Sequence, residues 1–192
     1  MRVKICGITR VVDALFAEKA GADAIGVVMC SPTSRRSVPE SKTREIFDAL
    51  GPFVTRVVVT HTESKDDLKK ILALRPDAIQ ISHPFVFESD PGARVLRVIG
   101  RGDKVPTDCS AIIVDESMGA GRHFDRAFAR EVVKTSAVPV ILAGGLNPEN
   151  VGDTIREIRP YAVDVASGVE TKPGIKDHKK IAAFIATARE AL

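Results

Sequence analysis

The chain has no tryptophan and a single tyrosine, and aromatic residues make up only 5% of its 192 residues. So few flat rings leave no stacking platform for nucleobases. The net charge is only +3 and, apart from Arg35-Arg36, the basic residues are scattered. The continuous basic stripe that follows a nucleic-acid backbone is therefore missing. No apolar run approaches the roughly 20 residues that cross a bilayer, so no membrane helix is expected. The opening residues read as a strand entering a charged segment rather than as a secretory signal. Cysteine is scarce as well: Cys6, Cys30 and Cys109 lie far apart and are odd in number. That pattern fits reduced thiols in a cytoplasmic protein and not a disulfide framework. Without a CxxC pair or a His/Cys cluster, no structural zinc site is expected.

What is present is a rhythm of short β-branched runs and amphipathic stretches. Strands are expected at residues 3–6, 24–29, 53–59, 78–81, 95–99, 111–114, 138–142 and 162–165. Helices are expected at 11–20, 39–50, 64–74, 125–135, 148–158 and 177–191. Residues 84–91 have room for a turn or two of helix, and 100–109 carry no helical pattern. Mostly helical crossovers imply parallel pairing. Runs such as 24–29 and 138–142 are apolar almost throughout, as strands covered on both faces are. Eight such units predict one α/β domain over residues 1–192, a closed (β/α)8 barrel with shortened fourth and fifth crossovers. An open doubly wound sheet is the alternative, but the first strand leads into Cys6-Gly7-Ile8-Thr9 and not into a G-x-G-x-x-G turn.

Chemistry in such barrels sits at the carboxyl ends of the strands. Cys6 ends the first strand, and Thr9 has the side chain of a helix N-cap. A thiol facing a helix N-terminus can act as base or nucleophile, although a lone cysteine is more often simply buried. Asp115 ends the sixth strand, with Glu116 beside it as a second carboxyl group. Asp164 lies between two valines in the eighth strand, a costly place for a carboxylate without a partner. Gly144-Gly145 follows the seventh strand and Ser167-Gly168 the eighth. Glycines there let backbone N–H groups approach an anion, and these two loops together point to a phosphorylated ligand. Arg36 and Arg35 follow the second strand, where a guanidinium can fork onto a carboxylate. Gln80 closes the fourth strand as a further hydrogen-bonding group. The four histidines form no cluster; His83 and His123 fall on the mouth side and read as peripheral.

Six segments carry a resemblance: 3–9 (VKICGIT), 21–26 (GADAIG), 34–36, 119–125 (GAGRHFD), 142–150 (LAGGLNPEN) and 163–177 (VDVASGVETKPGIKD). In this order they resemble phosphoribosylanthranilate isomerases of tryptophan biosynthesis over nearly the whole chain. The resemblance implies a (β/α)8 barrel and a cofactor-free Amadori rearrangement. N-(5-phosphoribosyl)anthranilate would become 1-(2-carboxyphenylamino)-1-deoxyribulose 5-phosphate. It implies Cys6 as general base, Asp115 as general acid, Arg36 on the anthranilate carboxylate, Asp164 near the anthranilate moiety, and the glycine loops on the phosphate.

The chain also departs from the family. Gln80-Ile81-Ser82-His83 stands where Gln-Leu-His-Gly is usual, and Val59-Thr60-His61 replaces Phe-Val-Asn. Met118 and Ala120 alter the glycine-rich loop. The alternatives are another phosphosugar-processing barrel enzyme and a non-catalytic phosphate-binding barrel. The expected partner is a small phosphorylated molecule, with no nucleic acid, membrane or metal. A monomer is the default, since no interface patch is evident, and a dimer is the alternative.

Overall fold

The computed structural model describes residues 1–115 and 125–191. The strands are β1 (Arg2–Ile5), β2 (Ala24–Val28), β3 (Thr55–Thr60), β4 (Ala78–Ile81), β5 (Arg94–Ile99), β6 (Ala111–Val114), β7 (Val140–Leu142) and β8 (Ala162–Val165). They pair in sequence order, all in parallel, and close into a barrel through β1 and β8. The closing register sets Lys4 opposite Asp164 and Ile5 opposite Val165. Helices α1 (Val11–Lys19), α2 (Glu40–Ala49), α3 (Lys65–Ala73), α4 (Arg126–Thr135), α5 (Val151–Ile158) and α6 (His178–Glu190) lie outside. The expected barrel is thus the observed one. Among the described residues, no helix is long and apolar enough to cross a membrane.

Strand alternation divides the apolar residues into two cores. Val3, Ile5, Ile25, Val27 and Ile112 face outward and pack against helix residues such as Ala14, Ile46 and Phe184. Cys6, Val28, Val57, Ala78, Ala111, Ile113 and Ala162 fill the barrel interior. The inner set is small-sided, which leaves hollows at both ends. The amino-terminal hollow has Phe53 on its rim, 98% exposed. That ring, just before β3, is an apolar group on the surface that the sequence reading did not single out.

Several boundaries move for identifiable reasons. Ser64, Asp125 and Asp177 are N-caps rather than helical residues, each accepting hydrogen bonds from backbone N–H groups of the following turn. Asn147 and Asn150 side chains bond the backbone between them, so α5 starts at Val151. The fourth and fifth crossovers contain no helix, not even the turn or two allowed at 84–91.

The N-cap expected at Thr9 is not there. The cap position of α1 is Arg10, without a side-chain cap, and Thr9 Oγ1 instead donates to the Gly174 carbonyl at 2.5 Å. Gly174 belongs to a hairpin absent from the expectation, β9 (Glu170–Lys172) with β10 (Ile175–Lys176), which follows a 3-10 turn at Ser167–Val169.

Asp13 in α1 ties the hairpin and α6 together. Its buried carboxylate accepts the Arg10 fork at 2.8 Å twice, His178 at 2.9 Å and the Lys176 N–H at 3.4 Å. Burial alone would raise its pKa, but the Arg10 and His178 hydrogen bonds outweigh it and the carboxyl sits below its usual value. A depressed carboxyl contributes stability that is present above the unfolded pKa and lost as pH falls through the folded one. Asp13→Asn is therefore expected to cost about 1–3 kcal/mol at neutral pH. The gap between variant and parent urea midpoints should begin to shrink below about pH 4, as the unfolded chain's carboxyl takes up a proton, and close as pH falls through the lower folded value.

Candidate active site at the carboxyl mouth

The carboxyl ends of the strands surround one cavity. Cys6, Gly7, Ser34, Arg36, His61, Gln80, Asp115, Gly144, Gly145, Asp164 and Ser167 all line it. Eight of the nine site residues expected from sequence meet here. The ninth, Gly168, does not line the cavity. A Cβ on it would stand 1.9 Å from the Leu146 carbonyl oxygen, so this glycine serves the close approach of the two phosphate-side loops. Gly144 and Gly145 have φ of 87° and 67°, conformations that L side chains rarely adopt.

Cys6 is buried, and its neighbour on the same strand face is Lys4, only 3% exposed. Lys4 Nζ donates to Asp164 Oδ2 at 2.7 Å and to Gln80 Oε1 at 2.9 Å. Burial works against the ammonium, but Asp164 and Cys6 outweigh it and hold its pKa above the ordinary value. Lys4 thus donates to two acceptors, with a carboxylate that favours its charged form. Burial pushes the Cys6 thiol up, Lys4 pulls it back, Asp164 adds to the rise, and Lys176 opposes it. Among the described residues the cations that interact with the sulfur are therefore Lys4, Lys176 and Arg36, where the sequence points to a helix N-terminus near Thr9. Burial also raises the Asp164 carboxyl, which Lys4 counters and nearby Asp115 reinforces. Among the described residues, Asp164 Oδ1 is a buried oxygen with no hydrogen-bond partner.

Gly26 makes this crowding feasible. A Cβ there would lie 2.9 Å from Cys6 Sγ and 3.0 Å from Lys4 Cε. Gly7 plays the same part for Arg36, whose Cδ would stand 2.5 Å from an added Cβ. The Arg36 guanidinium does not wait free. Nε and Nη2 fork onto Glu170 at 2.8 and 2.7 Å, and Lys176 Nζ bonds the same carboxylate at 2.9 Å. Two cations outweigh burial and keep Glu170 below the usual carboxyl range. Arg35 is exposed and outside the cavity lining.

Asp115 stands at the end of β6, its N–H bonded to the Ile99 carbonyl at 3.1 Å. Its neighbour Glu116 and the altered loop at 119–125 lie outside the described residues, apart from Asp125; so does His123. His83 meets Phe85 edge to face, ring centres 4.6 Å apart, and does not line the cavity. His61 does line it, bonded to Ser82 Oγ at 3.1 Å. Burial lowers the His61 pKa, against the pull of Asp115. Sequence reading did not select Lys4, His61, Glu170 or Lys176 as site residues. Lys4 had a signal: a lysine between Val3 and Ile5, two residues before Cys6, has to point into the barrel. Glu170 and Lys176 had none, because the hairpin that presents them leaves no period in so few residues.

A family model described as N-(5'-phosphoribosyl)anthranilate (PRA) isomerase matches residues 102–187. A curated N-(5'-phosphoribosyl)anthranilate isomerase from Methanoregula boonei is 82% identical over 191 residues, spanning 100% of this chain and 98% of the relative. The phosphoribosyl anthranilate isomerase structure from Thermus thermophilus superposes with a TM-score of 0.89 at 35% identity, covering 100% of both chains. Another such isomerase was solved with reduced 1-(o-carboxyphenylamino)-1-deoxyribulose 5-phosphate. It aligns with a TM-score of 0.84 at 34% identity over 99% of each chain. With its closed barrel and its thiol and carboxyl groups gathered at one mouth, the chain belongs to the N-(5'-phosphoribosyl)anthranilate isomerase family.

Proposed function

We propose that Cys6 and Asp115 are the base and acid of the family's reaction, the isomerisation of N-(5'-phosphoribosyl)anthranilate in tryptophan biosynthesis. The observation that carries this division is their placement. They end β1 and β6, separated around the ring by β7 and β8, and line one cavity from two sides. A protonated Asp115 gives its proton to the furanose ring oxygen while the anilino nitrogen pushes electrons in, and the ring opens to an imine. The C2 hydrogen is then acidic. Cys6 as thiolate takes it, and the resulting enolamine tautomerises to the ketone. The reaction moves protons and transfers no electrons to an acceptor, so it calls for no redox cofactor.

The remaining groups position the substrate. Backbone at Gly144, Gly145 and Ser167 receives the phosphate and anchors the end remote from C2. Gly168 supports this from behind by letting the two loops touch. With Nε and Nη2 held by Glu170, Arg36 presents its remaining Nη1 edge to the anthranilate carboxylate. The unpartnered Asp164 Oδ1 accepts a donor from the bound molecule, and Gln80 offers its amide N–H2 once its carbonyl is taken by Lys4. We read the whole chain as one such barrel unit, acting in the cytoplasm with its three thiols free. A monomer remains our default, and exposed Phe53 beside the amino-terminal hollow is what would favour a dimer. Light scattering of the purified protein separates these two.

Cys6→Ala and Asp115→Asn should each fold and lose about 10²- to 10⁴-fold in turnover, followed by the fluorescence of the anthranilate adduct. Near-parental turnover of Asp115→Asn would remove the acid assignment. Arg36→Ala should raise KM about 10- to 100-fold, as expected for a lost charged hydrogen bond. An unchanged KM would take the carboxylate grip away from Arg36.

A further inference from the structure

We propose that Lys4 is a positioning residue of this site: its buried ammonium, clamped by Asp164 and Gln80, is the counter-charge that lets Cys6 carry a thiolate. The proposal rests on the reading of Cys6 as the base and supplies what that reading lacks, a source for the charge.

The geometry is specific. Lys4 and Cys6 are two residues apart on one strand and so project to the same side, into the barrel. Lys4 Cε and Cys6 Sγ both come within 3.0 Å of a single point, the place a side chain on residue 26 would occupy. An ammonium has three N–H donors. Gln80 and Asp164 take two, and the third is left for the thiol that shares its strand face and the space beside residue 26.

Other groups also face the sulfur or its neighbours. Asp164 from β8 opposes the thiolate, and Asp115 at the end of β6 faces Asp164. Lys176 from β10 and Arg36 from the loop after β2 are cations, but both bond Glu170 of β9. Lys176 also donates to the Ala166 carbonyl at 3.0 Å. His61, after β3, is held toward its neutral form by burial. Among the described residues, Lys4 is the cation whose atoms meet the same point beside residue 26 as the sulfur.

A purely structural pair linking β1 to β8 would explain less. The two strands already pair through four residues, from Arg2–Ala162 to Ile5–Val165. Replacing a buried ion pair with apolar side chains is often neutral or stabilising. A charged pair at this position therefore needs a use, and the thiol beside it supplies one. Lys4 cannot be the base itself, since Asp164 keeps it an ammonium.

The test is the pH dependence of iodoacetamide alkylation at Cys6, in a background where Cys30→Ala and Cys109→Ala leave one thiol. Alkylation follows the thiolate and needs no substrate. Lys4→Met should raise the alkylation midpoint by about 1–3 pH units, and Lys4→Arg should restore most of the shift. Lys4→Gln, neutral and of similar reach, should raise it in the same way. In step with the thiol, the rising limb of kcat/KM against pH should move upward in Lys4→Met.

A folded Lys4→Met with the parental midpoint overturns the proposal. If that variant does not fold, Lys4→Gln decides, and a parental midpoint there overturns it equally. Turnover of the parent chain, assayed alongside, separates the two claims. An inactive parent would sink the functional reading while leaving the thiol shifts to judge Lys4.

Discussion

The mouth of the barrel depends most on one buried ion pair. Lys4 and Asp164 are partners across the seam where β1 meets β8, which a four-residue backbone ladder closes, and their side chains form the charged floor of the mouth. Desolvating two charges costs several kcal/mol for each ion, and only good geometry with further hydrogen bonds offsets it. Lys4 meets that condition through Gln80. Asp164 meets it with one oxygen and leaves the other without a partner among the described residues. That unfilled oxygen is what the proposed role of Asp164 in substrate binding draws on.

A second charged group lies beside the first. Glu170 draws Arg36 and Lys176 together, linking the loop after β2 to the β9–β10 hairpin. Asp13 reaches the same hairpin from α1 through the Lys176 N–H, and Thr9 reaches it through Gly174. The hairpin is thus fixed by polar contacts from several elements rather than by an apolar core of its own. Its effect is to hold the Arg36 guanidinium by Nε and Nη2, so less side-chain entropy is left to lose in the carboxylate contact proposed for it.

The barrel was legible because eight short apolar runs recur along the chain, and six of its connections carry a helical stretch. The mouth was legible because Cys6, Asp115, Gly144, Gly145 and Ser167 all follow such runs. The charged floor was less so. Asp164 drew notice between two valines, yet Lys4 shows its meaning only when the strand is known to point it at Asp164. The hairpin at 170–176 is set by long-range bonds to Thr9, Arg36 and Asp13, which no local pattern encodes. Thr9 has the chemistry of an N-cap, but Gly174 provides a competing acceptor, and the cap position passed to Arg10. Gly168 read as an anion-binding glycine, and the nearby Leu146 carbonyl is a second reason for glycine there, one that only the folded loops show.

The central claim is that Cys6 removes the hydrogen from C2 once Asp115 has opened the ring. It is tested most directly with substrate carrying deuterium at C2 of the ribose, by measuring loss of the label to water. The account predicts that the parent chain releases the label, whereas Cys6→Ala retains it. Label loss from Cys6→Ala at the parental rate would contradict the account.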